Sequence, residues 1–179
     1  GWSSARFGAL LLPGVMVLMS ALFAVLPSID PLKKNYAFHG SVYFLFVNVI
    51  VAFMGVVHLL VLGSALGWPV DMRRVLPILI GALFVFIGRL LPRIQPNWFM
   101  GIRTPWTLSS EQVWRKTHAV GATCFTAAGV GIMLIGLFAP GGRATKLMLA
   151  AILVGAFWPG VYSYLEWRRE QAEGPAAMG

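Results

Sequence analysis

Residues able to do chemistry crowd into one stretch, 97–118, which carries Asn97, Arg103, Thr104, Pro105, Trp106, Ser110, Glu111, Trp114, Arg115 and His118. Ser109 followed by Gln112 reads as a capping box, so a helix is expected to start there. Pro92, Pro96 and Pro105 lack backbone donors and keep the preceding chain extended or turned. At 100° per residue, Glu111, Trp114, Arg115 and His118 share one face of that helix, while Val113, Thr117 and Val120 share another suited to packing. A carboxylate, an indole, a guanidinium and an imidazole in one stripe can bind a peptide or a headgroup through paired charges and cation–π contact. The same residues also suit interfacial anchoring, with Trp98, Trp106 and Trp114 at headgroup level beside basic side chains. Both accounts fit. Catalysis fits poorly, because Ser110 and His118 on one helix stand roughly 12 Å apart along its axis. Glu111 and His118 are too far apart to share a metal without other ligands, and neither HExxH nor CxxC occurs. A non-enzymatic protein with no cofactor and no metal site is expected.

The elements around this stretch are apolar helices. Of the 179 residues, 58% are hydrophobic and 11% charged, against about 25% charged in a soluble domain. No charge falls between Arg6 and Asp30, Lys34 and Asp71, Lys116 and Arg143, or Lys146 and Glu166. Each interval meets, or falls within a residue of, the roughly 20 residues that a helix needs to cross the hydrocarbon core. The interval between Arg74 and Arg89 is shorter, and spans only if the arginines snorkel to the headgroups. Five spanning helices follow, at 7–26, 38–66, 70–91, 109–139 and 144–167. Pro27 and Asp30-Pro31 stop the first, Gly67-Trp68-Pro69 the second, and Pro140-Gly141-Gly142 turns between the last two. The fold class is an all-α polytopic transmembrane bundle. Residues 1–169 form a single domain, and 170–179 read as a disordered C-terminal tail.

The net charge of +8 does not indicate nucleic acid, since the basic residues flank apolar segments instead of lining a soluble face. With five spans, one side holds Arg6, Arg73, Arg74, Arg143 and Lys146, and the other holds the remaining nine lysines and arginines. The richer side is expected to be cytoplasmic, which puts the third loop and the C-terminus inside. At membrane depth, Gly63 and Gly67 read as a cap or a packing face. Gly129, Gly131 and Gly136 read as sites of close helix approach. Asn48 and His58 read as an interhelical hydrogen bond, His39 as a boundary residue and Cys124 as a small apolar side chain.

The run Gly101-Ile102-Arg103-Thr104-Pro105-Trp106-Thr107-Leu108-Ser109, followed by Val113-Trp114-Arg115-Lys116-Thr117-His118, resembles the signature of the SdpI family of bacterial membrane proteins. Gly88, Leu91-Pro92 and Asn97 fit the same pattern. The resemblance implies a multi-pass protein of the bacterial inner membrane that confers immunity to a secreted antimicrobial peptide toxin. In the family's best-known member it also implies a protein that holds a transcriptional repressor at the membrane. Family members commonly begin with one more helix, so six are expected with the missing N-terminal one, and the first residue here is Gly1. Arg89 stands where the family often has asparagine, and Ala119 and Ala122 where it has a basic residue and a glycine. The expected recognition surface comprises Asn97, Arg103, Thr104, Pro105, Trp106, Glu111, Trp114, Arg115 and His118. Its candidate partners, besides the lipid bilayer, are a toxin peptide, a cytoplasmic regulator or other membrane subunits. Two alternatives are an accessory subunit of a larger membrane complex, and a small transporter or membrane enzyme in which Asn48, His58 and His118 converge.

Overall fold

A computed structural model describes residues 5–138 and 142–173, with the side chains of all but 5, 6, 37–39, 41 and 142–144. The helices are α1 (Ala5–Ile29), α2 (Lys34–Ala65), α3 (Met72–Leu90), α4 (Pro105–Ser109), α5 (Glu111–Phe138) and α6 (Gly142–Glu173), and a 3-10 turn (Leu91–Arg93) extends α3. There is no strand among the described residues. Every helix except α4 is long and apolar enough to cross a membrane. The chain is an all-α, multi-pass membrane protein, and the short interval between Arg74 and Arg89 lies within one continuous span, Met72–Arg93.

Of the expected stops, Pro27 acts differently from the simple reading, whereas Gly67-Trp68-Pro69 ends its helix as expected. Pro27 lies inside α1, which continues to Ile29. A proline has no N–H for the carbonyl four residues back. The Tyr43 hydroxyl of α2 donates to that carbonyl, Phe23 O, at 2.6 Å, so the break is satisfied across a helix pair. At the end of α2, Gly67 takes φ +86°, Trp68 N donates to Gly63 O at 2.9 Å and Gly67 N to Ser64 O at 3.1 Å. This is a Schellman cap, with the Trp68 indole seated over Gly63. The glycine pair is therefore a cap and not a helix-packing face.

The tightest helix pairs are α3 with α5 and α5 with α6. A Cβ on Gly81 would lie 2.5 Å from the Gly129 carbonyl oxygen, so the α3 and α5 backbones touch there. Gly136 approaches Pro77 in the same seam, whereas Gly131 faces open space and is not a packing glycine. The best-buried apolar cluster sits at one end of the bundle. It joins Tyr43 and Val47 of α2 to Leu91, Ile94, Met100 and Trp114. The α1–α2 turn, the segment after α3 and the end of α6 meet at that end through Trp98 N to Asp30 Oδ2 (3.0 Å) and Ser110 Oγ to Glu170 Oε1 (2.8 Å). Residues 170–173 are thus helical, not tail. The remaining tail residues 174–179, the turn at 139–141 and the His39 side chain lie outside the described residues.

Candidate functional site: the stapled loop between α3 and α5

The loop begins at Ile94, whose carbonyl accepts from the Trp114 indole N–H at 2.9 Å. Trp114 is 1% exposed and stacks on His118, with ring centroids 4.2 Å apart. His118 is equally buried. Its Nε2 accepts from Ile102 N at 3.1 Å, and its Nδ1 stands 2.9 Å from Trp114 O. A ring nitrogen that accepts an amide proton carries none of its own, so Nδ1–H is the donor to Trp114 O and the imidazole is neutral. Two stacked rings on α5 therefore grip the loop at its start and near its middle. Gly101 is needed beside them: its φ is +102°, and a Cβ would lie 2.4 Å from His118 Nε2.

Asn97 shapes the bend between those grips. Its side chain is buried, and Oδ1 accepts from Phe99 N (2.9 Å) and Met100 N (2.6 Å). Its Nδ2 donates to Gln95 O (2.8 Å) and Met100 O (3.0 Å). Asp30, 2% exposed, ties this bend to the α1–α2 turn. Its carboxylate accepts from Leu32 N (2.7 Å), Tyr36 OH (2.8 Å) and Trp98 N (3.0 Å). Burial pushes the Tyr36 phenol well above its ordinary range, and the hydrogen bond to Asp30 and that group's charge push it the same way. The phenol therefore stays a donor. Asn35 Nδ2 adds a bond to Pro96 O at 2.6 Å.

The second half of the loop is held by threonines. Thr104 caps α4 from its β-region backbone, with Pro105 at the first helical position, and forms a reciprocal capping box with Thr107. Thr104 Oγ1 lies 2.9 Å from Ser163 Oγ of α6, whose own proton goes to Gly160 O. Thr104 is then the donor. The start of α5 is capped by Ser110, whose Oγ accepts from Val113 N at 3.2 Å. The expected cap at Ser109 is thus one residue early. Ser109 ends α4 and donates to Trp106 O at 3.0 Å.

The expected stripe of Glu111, Trp114, Arg115 and His118 divides. Trp114 and His118 turn inward with Val113 and Thr117. Glu111 and Arg115 stay exposed and pair weakly with each other at 3.7 Å. The buried arc of α5 is centred between the two faces assigned from the wheel, so one edge of each lies inside it. Asn97 is buried and Arg103 exposed, its guanidinium donating to Trp98 O at 2.7 Å. Trp106 packs against Tyr164 of α6, centroids 5.0 Å apart. The two rings, with Thr104, Phe157, Gly160 and Val161, line an open apolar groove of about 410 Å³. Arg103, Pro105, Glu111 and Arg115 thus form an outer skin over a core of Asn97, Trp114 and His118.

Sequence reasoning missed Asp30, which looked like a helix stop, and Ser163 and Thr107. It also missed Glu166, whose nearly buried carboxylate pairs with Lys116 of α5 and accepts from Tyr162 OH at 3.2 Å. A carboxylate that ends a long uncharged interval opposite a lysine was the available signal. Asn48, His58 and His118 do not converge. Asn48 is exposed, His58 lies about 15 Å further along the same helix, and both His118 nitrogens are spent on the loop and on α5. Among the described residues no three His, Cys, Asp or Glu gather as a metal requires.

The boundaries of this unit recur in the comparison with known proteins. Residues 93–163 match the SdpI/YfhL protein family. The matched stretch begins in the 3-10 turn that opens the loop and ends at Ser163, the α6 residue that Thr104 reaches. The chain is also similar to the immunity protein SdpI of Bacillus subtilis (strain 168), at 24% identity over 159 residues, which cover 89% of this chain and 74% of that protein. No solved structure matches the chain. The resemblance to SdpI proteins drawn from residues 101–118 thus holds over most of the length.

Proposed function

We propose that the chain is a non-enzymatic immunity protein of the bacterial inner membrane, protecting against a secreted antimicrobial peptide, with the stapled loop as its recognition surface. The observation that carries this reading is the coincidence of the family match with one densely hydrogen-bonded unit whose exposed skin is charged and aromatic. Asn97, Thr104, Trp114 and His118 set its shape. Arg103, Pro105, Trp106, Glu111 and Arg115 meet the partner. On the orientation favoured by basic residues, this skin faces the cytoplasm. That favours a cytoplasmic regulator, such as a transcriptional repressor held at the membrane, as the loop's partner. The toxin would meet the opposite end, where exposed Trp68 sits on its cap and Arg74 pairs with Asp71 at 3.5 Å.

The test is protection of toxin-exposed bacteria by the wild-type chain and by Arg103→Ala/Trp106→Ala. The double variant should insert normally and lose its partner in cross-linking from native membranes. Full protection with an unchanged cross-linking pattern would refute the assignment of the loop.

A further inference from the structure

A second groove opens along the seam between α3 and α5, with no α6 residue in its lining. It measures about 770 Å³ and is lined by Gly88, Arg89 and Pro92 of the α3 end and by α5 residues from Ala122 to Leu134. Along α5 its length is roughly 18 Å, which is about the depth of one leaflet of a 30 Å hydrocarbon core. Its floor is small, because Gly88 is pressed against Ala122 and Thr126, and a Cβ at Gly131 would touch nothing. Its mouth is charged. Arg89 is exposed and inside the third span, and no carboxylate or carbonyl among the described residues pairs with it. An arginine left unpaired in a span is costly unless something answers its charge.

We propose that this groove binds one anionic glycerophospholipid, with the phosphate on the Arg89 guanidinium and an acyl chain lying along Thr126, Val130 and Leu134. The guanidinium forms a fork that fits phosphate oxygens bidentately. The same charge argues against a second copy of the chain in the groove, because two-fold pairing there would bring like guanidiniums together. An acyl chain needs no hydrogen bonds, in keeping with the apolar lining below the mouth.

The experiment is native mass spectrometry of the full chain from micelles holding equal phosphatidylglycerol and phosphatidylcholine. The wild type should retain one phosphatidylglycerol in preference to phosphatidylcholine. Arg89→Gln should reduce that preference roughly fivefold, the worth of one basic side chain at an anionic surface. Gly131→Leu, whose Cβ would meet no neighbour and whose side chain projects into the groove, should lower retention of both lipids. Arg169→Gln, at the exposed end of α6, is the control and should change nothing. Preference undiminished in Arg89→Gln, equal loss in Arg169→Gln, or a dimer that sheds lipid would each overturn the proposal. If Arg89→Gln does not fold, Gly131→Leu decides alone, and unchanged lipid retention there rejects the site.

Discussion

His118 accepts the backbone N–H of Ile102 through Nε2, at the point where Gly101 passes against that edge of the ring. The imidazole is a structural acceptor, and its removal leaves the Ile102 amide without a partner above a void. His118→Ala should lower stability by about 3 kcal/mol, read as a fall in thermal midpoint in detergent. Trp114→Phe keeps an aromatic ring in place but loses the bond to Ile94 O and leaves part of the indole's volume empty, so a loss of about 2–3 kcal/mol is expected.

Gly101→Ala suffers twice, from a left-handed backbone and from a Cβ placed against the imidazole. The backbone part alone is worth about 1–2 kcal/mol. In a His118→Ala background the steric part disappears and the backbone part stays. The double variant should therefore be more stable than the sum of single losses implies. Strict additivity in a thermal-unfolding cycle would show that ring and glycine do not touch.

Much of this architecture is legible in the sequence, because apolar length alone fixes which segments can live in lipid. The five spans follow from uncharged intervals, and the loop follows from the crowding of Asn97, Arg103, Trp106 and Trp114. What escapes is angular and long-range. A helical wheel gives the order of residues around α5 but not where the buried arc is centred. A shift of part of a turn sent Trp114 and His118 inward. Asp30 looked like local punctuation because its partners, Tyr36 and Trp98, come from two other segments. Thr104 belongs to the expected surface, but its capping box with Thr107 was not read from the sequence, and its reach to Ser163 needs α6 in place.

Asp30 is the one carboxylate that joins the α1–α2 turn to the loop. An asparagine there has one acceptor oxygen and cannot serve Leu32 N, Tyr36 OH and Trp98 N as the carboxylate does. Asp30→Asn should leave insertion intact and free the 95–100 bend. Hydrogen exchange at Trp98, Phe99 and Met100 should then quicken by an order of magnitude or so, for about 1.4 kcal/mol of lost protection. Unchanged exchange would mean that Asn97 holds the bend unaided.

Glu166 and Lys116 couple α6 to α5 at the same end, with the Glu166 side chain 6% exposed and Lys116 47% exposed. Lys116→Met strands a nearly buried carboxylate and should lower the thermal midpoint, by less than in a fully enclosed pair because Lys116 is half solvated. Lys116→Met/Glu166→Leu removes both charges and should recover most of that loss. A double variant no better than Lys116→Met would place the stability in Tyr162 and Arg169 instead.

The arrangement of ends is testable without any partner. Cys124 is the free cysteine of the chain, so a Cys124→Ser background allows single probes to be introduced. Leu66→Cys sits at the far end of α2, 78% exposed, on the opposite side of the bundle from Ser109 and Glu173. In intact cells, a membrane-impermeant maleimide should label Leu66→Cys and spare Ser109→Cys and Glu173→Cys until the membrane is opened. The reverse pattern would invert the orientation while keeping the fold. Labelling of Ser109→Cys and Glu173→Cys from opposite sides would break it, because Ser110 and Glu170 are hydrogen-bonded and must share one face.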